Sequence, residues 1–420
     1  MAVVRNIDQI ARVEGHGRLR LVLRQGRVIE ARFELYESLR LFEALVVGRC
    51  FDEIPAIVCR ICSICSTIHK VAALQTVEAA LGVTVSPQTA LLRQLAVQGG
   101  QIESHALHLF CLALPDYLDC GGLAGLARKI PHELTQGLAI KALGNQIQEQ
   151  VGGRAIHPFN LLLGGMGTVP TRDRLQRLAD DLRAAIAAAG ASIALIAGLD
   201  GALPPLPVVP GCAVDCASSL VGTHLATTDG VRIGADDAYD WLDEQLTGTS
   251  TAKVSNFGGK GPYLVGPLAR LNLNAPLEPA AKAAFRHHRS ALIAASPAGS
   301  NLARTIELLQ AVERAGRLID ELLQNGLHPE QPVSPQVASG SATVLCEAPR
   351  GLLLHQYRFD ADGRCTAAQV VTPTAINQRA LKLSLAALVD RLPAATADEF
   401  RLQAERLVRC FDPCISCAVH

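Results

Sequence analysis

The chain has few aromatic residues, 4% of 420, and no surplus of either charge, with 39 lysines and arginines against 39 aspartates and glutamates. Balanced charge argues against a nucleic-acid ligand, which would favour a basic surplus. Scarce aromatics leave a core of small and aliphatic side chains, a composition that suits packed helices. No apolar window reaches the roughly 20 residues of a membrane span before Gln, His, Arg or Pro interrupts it. The opening MAVVRNIDQIARVEGHG lacks the apolar centre of a secretory signal. No GxGxxG stretch opens a strand-turn-helix unit, so a dinucleotide would have to bind on another chain. Nor does any linker or low-complexity run divide the sequence. With 49% hydrophobic residues, positions 1–420 are expected to bury a large core as a single domain.

Cysteine stands out from this composition. There are 13, an odd number without the regular spacing of a small disulfide-stapled domain, which favours a reducing compartment. Cys50, Cys59, Cys111, Cys120, Cys212, Cys216, Cys346, Cys365 and Cys410 are scattered and read as small buried apolar side chains. None belongs to a four-cysteine ferredoxin run. The other four form CxxC pairs at opposite ends of the chain. Cys62 and Cys65 lie in RICSICSTIH, residues 60–69, and Cys414 and Cys417 in DPCISCAVH, residues 412–420. A CxxC turn directs both sulfurs at one metal, and His69 lies one helical turn beyond Cys65. A structural zinc knot usually draws its ligands from one short module. These pairs adjoin helix-patterned apolar segments nearly a whole chain apart, which places the site in the middle of a fold. Spacing alone leaves zinc, copper(I), iron-sulfur and nickel open.

Alternating polarity around Gly15, Gly17 and Gly26 over residues 3–35 predicts a small antiparallel sheet. Helical patterning covers 37–49, which carries Glu43, and 66–81, which starts just past Cys65. It continues from the Ser86-Pro87 cap through Ser104-His105-Ala106-Leu107-His108, from a Thr171 cap to about 198, over 278–325 with a break at 296–299, and over 376–391 and 396–410. Prolines in 203–210 and glycines between 247 and 266 predict irregular chain. Residues 342–371 return to alternation, with Asp360-Ala361-Asp362-Gly363 as the hairpin turn. The fold class is α+β and predominantly helical, a central helical bundle with peripheral antiparallel β-hairpins, in which residues 396–420 deliver the second CxxC pair.

RICSIC followed by His69, and DPCxxCxxH, resemble the two signature motifs of the nickel-iron hydrogenase large subunit. The resemblance extends through RVEGHGRL at 12–19, IESHALHLF at 102–110, GGRAIHP at 152–158, YLVGPLAR at 263–270, EAPRG at 347–351 and TPTAIN at 372–377, and so spans essentially the whole chain. Ser63, where most of the family has glycine, and the SHALH run are most similar to the cytoplasmic NAD(P)-linked and sulfhydrogenase branch.

The resemblance implies the large-subunit fold and a nickel-iron centre whose iron carries cyanide and carbon monoxide. Cys62 and Cys414 would be terminal nickel ligands, with Cys65 and Cys417 bridging the metals. Arg350 would stand over the open metal position, with Asp412 completing a charged canopy. A fixed planar cation there suits developing charge. Thr374 would face a cyanide, and Pro349 and Leu353 would pack around the iron's ligands. Dihydrogen is a very poor acid in water, so its cleavage needs a metal to polarise it and a base to take the proton; Cys414 and Arg350 are the two base candidates. Glu14 would relay protons from Cys414, and His69 would hydrogen-bond the Cys417 sulfur. Glu43, the Val370 carbonyl and His420 would hold magnesium, which needs few protein ligands. Taken alone, Arg350 reads as a salt-bridged arginine, Thr374 and Asp412 as turn residues, Glu14 and Glu43 as solvated carboxylates, and His69 as a core histidine. One departure is Ser104, where many relatives have a canopy aspartate.

The implied partners are an iron-sulfur small subunit, a diaphorase or NAD(P)-binding subunit with further iron-sulfur clusters, and a maturation protease that trims the precursor after His420. The implied location is cytoplasmic, although large subunits of this family can also be exported on a partner's signal. Two other functions share parts of this pattern. One is a hydrogen sensor with the same centre, and the other is a non-catalytic, zinc-stabilised subunit of a redox complex.

Overall fold

The computed structural model describes residues 2–7, 10–199, 202–216, 221–248, 250–293 and 296–420. Positions 8–9 of the predicted first sheet, 249 of the glycine-rich stretch and 294–295 of the 278–325 helical block lie outside the described residues. Four long helices form the scaffold: Pro87–Ala106, Pro131–Gly152, Arg172–Ala197 and Ser300–Asn325. Pro87–Ala106 packs on both Pro131–Gly152 and Ser300–Asn325, and the last also packs on Arg172–Ala197. The first crossing is close because it is made at glycine. A Cβ on Gly144 would stand 2.5 Å from the Glu103 backbone nitrogen, and one on Gly99 2.8 Å from the Ile147 side chain. Glycine lowers helix propensity, and with Gly137 and Gly144 in its interior the segment 131–152 is not legible as a helix in the sequence.

Helix Pro87–Ala106 starts as predicted. Ser86 accepts the Thr89 N–H at 3.0 Å, and Pro87 occupies the first turn. Beyond Ala106 the chain continues as a π-helical turn, Leu107–Ala113, a local widening often found at functional sites. Helix Ser66–Ala80 begins at the first CxxC pair and is tied to Pro87–Ala106 by a buried two-pronged ion pair, Arg93 Nη1 and Nη2 to the Glu78 carboxylate at 2.7 Å each. Thr171 sits at its predicted N-cap position, but its hydroxyl makes no capping bond.

The N-terminal strands Ala2–Ile7, Gly17–Arg24 and Arg27–Leu35 form the predicted antiparallel sheet. A second antiparallel sheet joins Gly340–Ala348, Gly351–Phe359 and Cys365–Val371, with the short Val221–Gly222 at its edge. Its middle strand is buried on both faces over residues 351–355, so the hairpin turn at Pro349-Arg350 projects into the core. Gly351 has φ +133°, and a Cβ there would meet Gly266 N at 2.7 Å, so the turn depends on glycine.

Three predicted spans need correction. Of residues 37–49 only Phe42–Val46 is helical, and Leu41 before it is left-handed at φ 54°. The preceding chain is held by the C-terminus: Arg40 N donates to Val419 O at 3.2 Å, and the Arg40 guanidinium reaches the Ile61 and Ser416 carbonyls. The stretch 247–266 is not wholly irregular, because it contains the strand Ser250–Ser255, paired with Glu244–Thr247. The predicted helix 376–391 starts earlier, at Pro373. Among the described residues no helix is long and apolar enough to cross a membrane.

Candidate metal centre

The two CxxC segments meet at the centre of the fold. Cys62 is extended after the 3-10 turn Cys59–Ile61, and Cys65 is the N-cap residue of Ser66–Ala80. Helix Ala397–Phe411 ends in Asp412, whose left-handed φ of 46° turns the chain into Pro413 and Cys414. Cys417 follows in the last helical turn, Ile415–Ala418. All four sulfurs are buried and lie within 4.8 Å of one another. The separations are 3.4 Å for Cys62–Cys414, 3.8 Å for Cys65–Cys414, 3.2 Å for Cys65–Cys417 and 2.9 Å for Cys414–Cys417.

Four buried thiols this close cannot all ionise by themselves. Hydrogen bonds from Cys414, Cys417 and Cys65 lower the Cys62 pKa against its burial, while burial and the neighbouring sulfurs push Cys414 well up. Burial does the same for Cys417. A bound cation reverses this logic, because a coordinating thiol is deprotonated outright. The donor set therefore fits a soft, positively charged group.

The residues singled out in the sequence surround this cluster. Glu14 runs parallel to the second CxxC: Ile415 N donates to Glu14 O at 2.9 Å, and Glu14 Oε2 accepts from Cys414 Sγ at 3.1 Å and from Ser416 N at 2.9 Å. Arg350 donates from Nε to Asp412 O at 2.9 Å and from Nη2 to Asp412 Oδ1 at 3.1 Å. Its Nη1 lies 3.4 Å from Ser104 Oγ, so a hydroxyl and not a second carboxylate faces the guanidinium there. Burial raises the Asp412 pKa, but Arg350, His108 and Arg304 outweigh it and hold this carboxyl below the usual range. Thr374 Oγ1 accepts the Cys414 N–H at 2.9 Å, and its own O–H has no acceptor among the described residues, so it can donate into the site. A cavity of about 10 Å³ lies between Cys65, Cys414, Cys417 and the side of Pro349, Arg350, Leu353 and Thr374. His69 Nε2 is 3.7 Å from Cys417 Sγ.

Glu43, Val370 and His420 form a second cluster, tethered to the first by His420 Nδ1, 2.5 Å from Cys417 O. Donation from Nδ1–H to that carbonyl leaves the Nε2 lone pair facing Val370 O at 2.7 Å and Glu43 Oε1 at 3.8 Å. Three lone-pair atoms converging in this way fit a cation, since neighbouring ligands of an octahedral ion at about 2.1 Å lie about 3 Å apart. Val370 N donates to Glu43 Oε1 at 2.8 Å and Lys253 Nζ to Glu43 Oε2 at 2.7 Å. Burial raises the Glu43 pKa, but His420, when protonated, and Lys253 outweigh that and bring it to about 2; a cation held by the neutral imidazole would take over the part of the His420 charge.

Several residues around these sites carry no signal in the sequence that marks them. Glu244, in the chain just before the glycine-rich stretch, has a carboxylate only 1% exposed, and Lys253 Nζ stands 3.3 Å from its Oε2. His108, turned inward by the π-helical segment, places Nδ1 2.8 Å from Asp412 Oδ1, and Arg304 Nε is 3.8 Å from Asp412 Oδ2. Arg270, within a noted motif but unassigned, donates to Ala348 O at 3.0 Å and to Pro349 O at 3.2 Å, and pairs with Glu307 and Glu347. It thereby holds the turn that presents Arg350. All 13 cysteines are free.

Comparison with known proteins places the chain in a family. The nickel-dependent hydrogenase family model matches residues 40–136 and 240–420. The sulfhydrogenase 2 alpha subunit of Pyrococcus furiosus is 36% identical over 99% of this chain and 98% of its own length. The sulfhydrogenase 1 alpha subunit of the same organism is 33% identical over 99% of this chain and 97% of its own length. The crystal structure of an NAD+-reducing [NiFe]-hydrogenase in its H2-reduced state superposes with a TM-score of 0.89 at 29% identity, covering 100% of this chain and 99% of that one. The chain belongs to the nickel-dependent hydrogenases, as a catalytic large subunit. Its α+β, predominantly helical fold is that of the family, and its likeness is to the sulfhydrogenase and NAD-reducing branch.

Proposed function

We propose that this subunit catalyses reversible heterolytic cleavage of H2 and passes the electrons to an iron-sulfur small subunit and on to NAD(P). The observation that carries the reading is the buried four-sulfur cluster with Arg350 on one side and Glu14 hydrogen-bonded to Cys414. Cys62 and Cys414 would hold nickel terminally, and Cys65 and Cys417 would bridge it to an iron carrying cyanide and carbon monoxide. When bound, that centre supplies the electron-pair acceptor that polarises dihydrogen.

The protein's own part is to place charge and move the proton. Arg350 is cationic and paired with Asp412, so it is a poor base, but it can stabilise negative charge developing in front of it. Cys414 takes the proton and Glu14 Oε2, 3.1 Å away, receives it. Glu14 is half-buried, which opens the relay toward solvent. Pro349 and Leu353 give the iron's diatomic ligands an apolar wall, while Thr374 and Arg350 offer donors. His69 tunes the Cys417 sulfur. Glu43, Val370 O and His420 would hold Mg2+, anchoring the segment that carries Cys417.

The electron exit would lie on the Cys62 side of the cluster. Ser63 above it is exposed, and exposed Leu39, Leu41, Ile156 and Phe159 belong to segments tied to this loop through Arg40 to Ile61 O and His157 to Cys59 O. An apolar patch at this point suits the iron-sulfur partner. NAD(P) as final acceptor is supported by the NAD+-reducing structural relative. A diaphorase subunit with further clusters would bind it. All 420 residues would act as one unit, since ligands come from both ends, and the free thiols suit the cytoplasm. Nickel and iron analysis combined with infrared spectroscopy tests the reading: stoichiometric nickel and iron with cyanide and carbon monoxide bands are expected. Zinc without those bands would establish the non-catalytic alternative.

A further inference from the structure

Strand Gly351–Phe359 places His355 and Tyr357, two residues apart, on one face, against helix Ser66–Ala80 that carries His69. Tyr357 OH is 2.6 Å from His355 Nδ1, and His355 Nε2 is 3.1 Å from His69 Nδ1. His69 Nε2 in turn faces Cys417 Sγ at 3.7 Å. All three side chains are buried, at 0 to 1% exposure.

The direction of this chain follows from its ends. His355 Nδ1 is the only hydrogen-bond partner that the described residues offer the Tyr357 hydroxyl, so the phenol must donate. A ring nitrogen that accepts carries no proton, which leaves the His355 proton on Nε2, donating to His69 Nδ1. The His69 proton is then on Nε2 and points at Cys417. Reversal would strand the phenolic proton without an acceptor and set a lone pair against the sulfur.

We propose that His355 and Tyr357 are positioning residues for the metal centre, acting through His69 by fixing its tautomer and strengthening its N–H donation to the Cys417 sulfur. The inference rests on the nickel-iron reading of that sulfur. Hydrogen bonds in series polarise one another, so the chain draws electron density from one thiolate and leaves the centre's other ligands untouched.

The test uses the purified complex and the infrared bands of iron-bound cyanide and carbon monoxide, with nickel content measured on each sample. Weaker donation leaves the sulfur and the metals more electron-rich, so His355→Leu and Tyr357→Phe should move the bands to lower wavenumber, Tyr357→Phe by less. His355→Gln, whose amide N–H replaces Nε2–H, should stay near wild type. In a His69→Leu background, adding Tyr357→Phe should shift nothing further. Should His355→Leu or His69→Leu fail to take up metal, His355→Gln and Tyr357→Phe still decide. Wild-type band positions in metal-loaded Tyr357→Phe, or an equal Tyr357→Phe shift with and without His69, overturn the proposal. Absence of the bands from the wild type refutes the nickel-iron reading itself.

Discussion

Replacing Glu14 with glutamine isolates proton movement from metal binding. Among the described residues the two side-chain hydrogen bonds of Glu14 are to one atom, Oε2, which accepts from Cys414 Sγ at 3.1 Å and from Ser416 N at 2.9 Å. A glutamine oxygen in that position keeps both bonds, and the backbone bond from Ile415 N to the residue 14 carbonyl is unaffected. The centre should therefore assemble with wild-type nickel. What is lost is a carboxylate able to take and release a proton, a contribution of roughly 10²–10⁴-fold for a positioned acid-base group, or about 3–5 kcal/mol of barrier. H2 oxidation and hydrogen-deuterium exchange with solvent should both fall by that factor. Conversion of para- to ortho-hydrogen, which needs no exchange with solvent, should survive. All three are to be measured on one preparation of known nickel content. Unchanged solvent exchange would remove Glu14 from the relay, and loss of nickel together with every activity would make it structural.

Arg350→Lys keeps a charge but gives up the fork that spans Asp412 O, Asp412 Oδ1 and Ser104 Oγ, so metals should stay while turnover falls ~10²–10³-fold; near-normal H2 oxidation in a fully loaded variant would rule out its role. Cys65→Ala or Cys417→Ala should take nickel and iron to background by elemental analysis, because each sulfur is assigned to both metals; stoichiometric retention in either means that the ligands are misassigned. Glu307 provides a pH test. Burial raises its pKa, but Arg270 and His105 outweigh this and lower it from 4.5 to about 2. A depressed carboxylate stabilises the fold above its unfolded value and loses that stabilisation as pH falls, here between about 4.5 and about 2, amounting to ~3 kcal/mol. The urea midpoint of wild type should drop more steeply through that window than that of Glu307→Gln, and parallel curves would contradict the assignment.

What the sequence discloses and what it hides divide along one physical line. Ligand chemistry is written into residue type and short spacing, so Cys62, Cys65, Cys414 and Cys417 are legible in the chain itself, and their burial in one cluster follows from the helix-patterned segments beside them. Helices such as Pro87–Ala106 and Ala397–Phe411 are legible too, because cap and periodicity are local. Residues 37–49 fail for the opposite reason. Their apolar pattern suits a helix, yet Arg40 is held by carbonyls of Ile61 and Ser416, far away in sequence, and long-range bonds override local preference. Helix Pro131–Gly152 is masked by Gly144, whose purpose is visible only when Glu103 is seen against it. The same holds around the metal centre. His355 and Tyr357 look like ordinary alternating strand positions, and only the meeting of that strand with His69, nearly three hundred positions earlier, gives either ring a direction. Motifs mark the atoms that bind; the groups that orient those atoms are defined by partners distant in the chain, and are found by tracing each buried donor to its acceptor.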